Sequence, residues 1–180
     1  MMSDESMLNT ALSEGAHDAR IVDVSAIPFD PSLRAYCEAN ACGSYGRNYA
    51  CPPHVGAADE LIARVKEYSR ALFFQTVSPL EDSFDVEGME KAARRHAEVC
   101  ARIFAAVTPS MARYLTLTAG GCSICPTCAL IDGQPCRAPE RAISSLEAYC
   151  MNVSRLCGKC GMKYINGANT VTYFGMCLFD

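Results

Sequence analysis

ALFFQTV (71–77), VEGMEKAARRHAEVCARIFAAV (86–107) and RYLTLTA (113–119) follow one another along the chain, and their order decides the fold. The first is an apolar run of the length of a buried strand. In the second, Met89, Ala93, His96, Cys100, Ile103, Phe104 and Val107 recur at helical spacing and form one apolar stripe. Pro109 ends the helix, and the third stretch reads as another strand. Strand, long helix and strand in succession predict a βαβ unit. TVTYFGMCLF (170–179) adds a strand that is apolar on both alternating faces, as suits a central strand covered on two sides. The expected architecture is an α/β (or α+β) fold, a single domain whose small mixed sheet contains a βαβ unit flanked by helices, with cysteine-rich metal-binding loops.

Working outward, a short apolar stretch at Ile21 to Val24 precedes Asp30-Pro31, where Asp as N-cap and Pro at the first helical position open a short helix ending near Cys37. Leu61, Val65 and Tyr68 recur at helical spacing and mark a helix from Ala57. Pro139 is expected to open another, with Ile143, Leu146 and Cys150 on one face. Residues 1–20 are polar and read as a poorly ordered N-terminal arm, which leaves 21–180 as a single cysteine-rich metal-binding domain. Asn166-Gly167-Ala168-Asn169 is a turn, read as shaping the entry to the last strand rather than lining a site.

The chain has 180 residues, half of them apolar and 20% charged, which excludes wholesale disorder. A net charge of -4 argues against nucleic acid or an anionic membrane as partner. No stretch approaches the roughly 20 apolar residues of a membrane span. The first residues are acidic and lack the apolar core of a secretory leader, so a cytoplasmic location is expected. There thiols stay reduced, and 12 cysteines point to metal rather than to a disulfide scaffold.

Cys122-x2-Cys125-x2-Cys128-x7-Cys136 is the strongest signal. Three thiols at two-residue gaps wrap a compact cluster, and a fourth from further along closes the coordination, much as in the bacterial ferredoxin-type run. The last gap is seven residues rather than three, and Arg137 rather than proline follows Cys136. A four-thiolate cubane carries a charge of about -2 when oxidised, which Arg137 and Arg141 are placed to offset. Zinc on the same thiols is the alternative, since it tolerates many spacings.

Cys37-x4-Cys42-x8-Cys51-Pro52-Pro53-His54 is a second constellation, in an irregular loop that a metal would organise; small core residues under a loop are the other reading. The two prolines are expected to hold the chain extended after Cys51. Three thiols would leave one metal position for His54, a distant cysteine or an exogenous molecule, with Tyr45, Arg47 or Tyr49 contacting a small anionic substrate. All seven thiols in one larger site is a further arrangement. Cys157-x2-Cys160 is a third pair, open to a zinc ribbon with Cys125-x2-Cys128 or to supplying the missing ligand of the first loop, and it lacks the strand-to-helix setting of a thioredoxin-like redox pair. Cys100, Cys150, Cys177 and His96 fall on apolar faces and read as core.

Together, CEANACGSYGRNYACPPHVG (from Cys37), GGCSICPTCALIDGQPCRAPERAISSLEAY (from Gly120) and MKYINGANTVTYFG (from Met162) resemble the DUF2284 family of predicted metal-binding proteins, which are found mainly in bacteria and archaea with anaerobic metabolism. The resemblance covers the chain from about residue 33 to the end. It places the family's cysteines on Cys37, Cys42, Cys51, Cys122, Cys125, Cys128 and Cys136, and it implies metal binding without supplying a reaction.

The leading expectation is a cytoplasmic iron–sulfur protein with one or two [4Fe-4S] clusters, the first on Cys122, Cys125, Cys128 and Cys136, with Arg47 and Arg137 near the cofactors. It would transfer electrons with a redox partner protein. The rivals are an enzyme with an open iron on the Cys37, Cys42 and Cys51 loop, and a structural zinc module for protein interaction.

Overall fold

In the computed structural model, which describes residues 2–180, the chain runs α1 (Asp4–Ser13), β1 (Asp18–Asp23), α2 (Arg34–Glu38), α3 (Ala58–Val65), β2 (Arg70–Pro79), α4 (Val86–Val107), β3 (Tyr114–Thr118), β4 (Ser144–Ser145), α5 (Val153–Cys160) and β5 (Thr170–Phe179). The strands form one mixed sheet in the order β1-β2-β5-β3-β4. β5 occupies the middle, antiparallel to β2 from Arg70↔Phe179 to Pro79↔Thr170 and antiparallel to β3 from Tyr114↔Phe179 to Leu117↔Met176. β2 and β3 therefore run parallel with β5 between them. The strand–helix–strand unit is present in split form, and the fold is mixed α/β.

Strand alternation sorts the central side chains onto two faces. Leu72, Phe74, Cys177 and Phe179 pack on one face with Met7 and Ala11 of α1 and with Val99, Ile103, Phe104 and Val107 of α4. Ala71, Phe73, Phe174, Met176 and Leu178 pack on the other with Leu61 and Val65 of α3 and with Val153, Leu156 and Cys157 of α5. Helices thus cover both faces, which is why β5 has no polar face. Gly175 of β5 stands opposite Phe74 of β2, and a Cβ there would lie 2.4 Å from Phe74 Cζ.

α4 begins and ends where its sequence signals put it. The Asp85 carboxylate caps it by accepting from the Gly88 N–H at 2.8 Å, and Pro109 follows in a 3-10 turn. Asp30 likewise accepts from the Ser32 N–H ahead of α2. His96 is buried within α4, its Nδ1 2.8 Å from Thr76 Oγ1 and its Nε2 3.1 Å from the Phe174 carbonyl. The Asn166 amide donates to Lys163 O at 3.3 Å and to Thr172 Oγ1 at 3.0 Å, so this turn shapes the entry to β5 as its sequence suggests.

Three expectations are corrected. Instead of a poorly ordered arm, residues 4–13 form α1, which Met7 and Ala11 anchor in the core. Ion pairs from Asp4 to Arg70 and from Glu14 to Arg102 hold both its ends. Pro139 does not open a helix through Cys150: Ser144 pairs in parallel with Leu117 of β3, and Cys150 adopts a left-handed conformation, φ 58°, after a 3-10 turn at Glu147–Tyr149. The chain does not stay extended after Cys51: the Pro52-Pro53 peptide is cis and the backbone turns, Val55 N–H donating to Cys51 O at 3.0 Å.

Candidate metal centre

Two irregular loops carry the seven cysteines that spacing and resemblance single out. The first joins α2 to α3, with Cys37 in α2 and Cys42 and Cys51 beyond it; the second leaves β3 at Gly120 and runs through Cys122, Cys125, Cys128 and Cys136. Cys51 is buried, Cys42 is exposed, and the other five are partly exposed.

The second loop is seated on the first. A Cβ on Gly121 would lie 3.2 Å from Ser44 Oγ, 3.3 Å from Asn48 Nδ2 and 3.4 Å from Cys51 Sγ. A side chain there would press on Ser44 and Asn48, so glycine suits the close seating of the backbone beside Cys122 on the first loop. The Tyr49 hydroxyl donates to Gln134 O at 2.8 Å, and Ser144 Oγ donates to Ala50 O at 2.9 Å, so three separate stretches grip one another here. Asn48 is buried at the junction and folds its own turn by accepting from the Ala50 N–H.

The thiols feel one another. Burial holds the Cys51 thiol above its ordinary value, a hydrogen bond with Asn48 draws it down, and Cys42 and Cys122 raise it again as neighbouring negative charges. Burial also raises Cys37, opposed by the Arg34 cation and reinforced by Cys42 and Cys51. Cys37, Cys42, Cys51 and Cys122 therefore lie in one electrostatic neighbourhood, in which burial is the main cause that raises Cys37 and Cys51. As a donor set, clustered thiols suit soft metal centres, zinc or iron–sulfur. Among the described residues no three Cys, His, Asp or Glu side chains converge tightly enough to hold a metal ion. A tetrahedral zinc needs sulfurs about 3.8 Å apart, so a zinc site would require the loops to contract on loading.

Arg34 is the cation that sequence reading missed. Its Nη2 donates to Gly56 O at 3.0 Å and to Ala148 O at 2.9 Å, tying the end of the first loop to the turn after β4. Its Nε is buried without a partner. One turn along α2, at i and i+3, Arg34 and Cys37 share a helix face, which is the signal that could have found it. Arg34→Met should lower stability by about 2–3 kcal/mol, because two carbonyls lose a charged donor; the shift in urea midpoint measures it.

Of the other candidates, Arg137 donates to Thr127 O at 2.9 Å and staples the second loop across Cys128, while Arg47 and His54 are exposed. The His54 ring meets Tyr49 edge-on, centroids 6.1 Å apart. Tyr49 commits its hydroxyl to Gln134. Cys100, Cys150 and Cys177 are buried, as their positions suggest. Cys157 joins them, its thiol pushed up to about 12 by burial and by Cys160, and α5 sets Cys160 beside Arg20 and Asp18 of β1. No helix among the described residues is long and apolar enough to cross a membrane.

Residues 20–179 match the model of a family described as a predicted metal-binding protein, DUF2284. No curated protein and no solved structure matches the chain.

Proposed function

The chain belongs to the DUF2284 family of predicted metal-binding proteins, and from that premise we propose that it is a cytoplasmic iron–sulfur protein that transfers electrons to or from a redox partner protein. Cys122, Cys125, Cys128 and Cys136 hold one [4Fe-4S] cluster, and Cys37, Cys42 and Cys51 hold a second metal site beside it. The observation that carries the reading is the seating of the two cysteine loops on each other at Gly121 and Cys51. An iron–sulfur cluster supplies one-electron chemistry when bound. The chain's part is to seat the two cysteine loops on each other, to place positive charge near them through Arg34 and Arg137, and to leave Cys42 and Arg47 at the surface for a partner.

A second reading, an enzyme with an open iron on the first loop, draws on the count of three thiols there. Tyr49 is already bonded to Gln134 O, which leaves Arg47, exposed, and Tyr45, half-buried, as contacts for a small anion. Four protein ligands on that metal would remove the open position.

Iron, zinc and acid-labile sulfide per chain, measured on protein purified without oxygen, test the proposal. Iron and sulfide should each be about four or more, and Cys125→Ser should remove about four of each. Zinc without sulfide, or iron unchanged in Cys125→Ser, would overturn it.

A further inference from the structure

Three aromatic rings on the α5 side of the sheet lie nearly parallel. Phe73 of β2 stacks on Phe174 of β5, centroids 5.4 Å and planes 10° apart, and Phe174 stacks on Tyr164 at 5.6 Å and 8°. Phe73 and Phe174 are buried, whereas Tyr164 is 47% exposed and stacks on no further ring among the described residues. Covering Phe174 uses one face of the Tyr164 ring and leaves the other open. The stretch that carries this ring is pinned at both ends. Met162 is buried and its N–H donates to Cys157 O at 3.0 Å, while the Asn166 amide donates to Thr172 Oγ1 at 3.0 Å and to Gln75 Oε1 at 3.4 Å. Ile165, the next residue after Tyr164, is 74% exposed, so a firmly held stretch shows two large apolar side chains to solvent. Burial raises the Tyr164 phenol, and Glu147 and Cys157 raise it further, which sets the Glu147 carboxyl in the neighbourhood of the ring.

We propose that Tyr164 is a stacking shelf for a ligand with a planar heteroaromatic ring, of the flavin or nucleobase type, which lies on the face of Tyr164 turned away from Phe174. The ligand ring extends the column of Phe73, Phe174 and Tyr164 by one member. Aromatic rings pair best when offset and near-parallel, and both existing contacts of the column have that form. A flat π-face is what such a shelf recognises, and an aliphatic ligand has none. Glu147 adds a nearby acceptor for the ring N–H groups that flavins and guanine carry, and it opposes a ligand whose negative charge falls at this point. Because Met162 and Asn166 already fix the shelf, little freedom is lost when the ring settles on it. The inference does not depend on which metal the cysteine loops hold.

The test is equilibrium dialysis of riboflavin and, separately, of guanosine against the whole chain, with free ligand read in the protein-free chamber so that bound metal does not interfere. Wild type is expected to retain one or both in a saturable way; riboflavin alone assigns the flavin class and guanosine alone the nucleobase class. Tyr164→Phe keeps the ring and should bind as wild type does. Tyr164→Leu should bind about tenfold more weakly or worse, the loss expected for one stacking contact. A second measurement stands apart from the folding of that variant. In hydroxyl-radical footprinting of wild type, read by peptide mass spectrometry, the retained ligand should protect Tyr164 from oxidation. Retention of neither ligand by wild type, equal binding by Tyr164→Leu, loss of binding in Tyr164→Phe, or an unprotected Tyr164 would each overturn the inference. The metal and sulfide content of the same protein leaves this result unchanged and bears on the iron–sulfur reading alone.

Discussion

Gly175→Ala should cost 3 kcal/mol or more, on the order of the largest overpacking penalties, and should leave little folded protein at 37 °C. The added methyl would lie 2.4 Å from Phe74 Cζ, 2.7 Å from Phe74 Cε2 and 3.1 Å from Cys100 Sγ. None of these can easily withdraw. Phe74 is fully buried and packs edge-on against Phe104 at 5.9 Å, while Cys100 is held between His96 and Thr118. β5 cannot move away either, because it is hydrogen-bonded on both sides. Thermal unfolding of the metal-free protein measures the loss. Combining Gly175→Ala with Phe74→Leu should recover part of it, since the two changes share one contact; strict additivity of the two losses would show that the clash is not the cause.

The second large effect is acid sensitivity centred on His96. Burial lowers its pKa from 6.5 to about 4, and the adjacent Arg95 adds to the lowering against the Phe174 carbonyl. The imidazole is therefore neutral in the folded chain and protonates more readily in the unfolded one. Stability from this group is fully present above pH 6.5 and declines as pH falls from 6.5 towards 4, by about 3 kcal/mol in all. Urea midpoints at pH 7, 5.5 and 4 should fall along that slope. In His96→Leu the slope over this interval should flatten, at the expense of a lower midpoint at pH 7 because Thr76 Oγ1 and the Phe174 carbonyl lose their partner. An unchanged slope would assign the acid sensitivity to other groups.

The parts of the fold that were legible in the sequence are those in which local and tertiary signals agree. α4 has a stripe in which His96, Cys100, Ile103, Phe104 and Val107 are buried, and a stop, Pro109, although Ala93, expected on that stripe, is exposed and Ala92 and Val99 are buried instead. β5 has no polar face because helices cover both sides of the sheet. α1 was hidden because only Met7 and Ala11 are fully buried among polar neighbours, too few for a visible stripe. α5 was missed because it is short and carries Gly158 in its interior. At residues 139–150 the pattern misled: Ile143, Leu146 and Cys150 have helical spacing, yet Ser144 pairs with β3 and Ser145 Oγ accepts from the Ala148 N–H. The cysteine spacings identified the candidate thiols. Their grouping was not legible, because it depends on contacts such as Tyr49 with Gln134 and Ala50 with Ser144, which no local periodicity encodes.

β5 fills the centre of the sheet, although every other element precedes it in the chain. While the polypeptide is being synthesised, β2 and β3 therefore have a gap between them, and Phe73 and Phe74 lack the strand that covers their backbone. That gap is an unpaired edge rich in aromatic residues, the kind of surface that chaperones shield and that drives misassembly when left open. All seven candidate metal ligands are translated before the gap can close. The candidate thiols thus emerge before the scaffold that frames them, which is complete only when residues 170–179 take their place between β2 and β3.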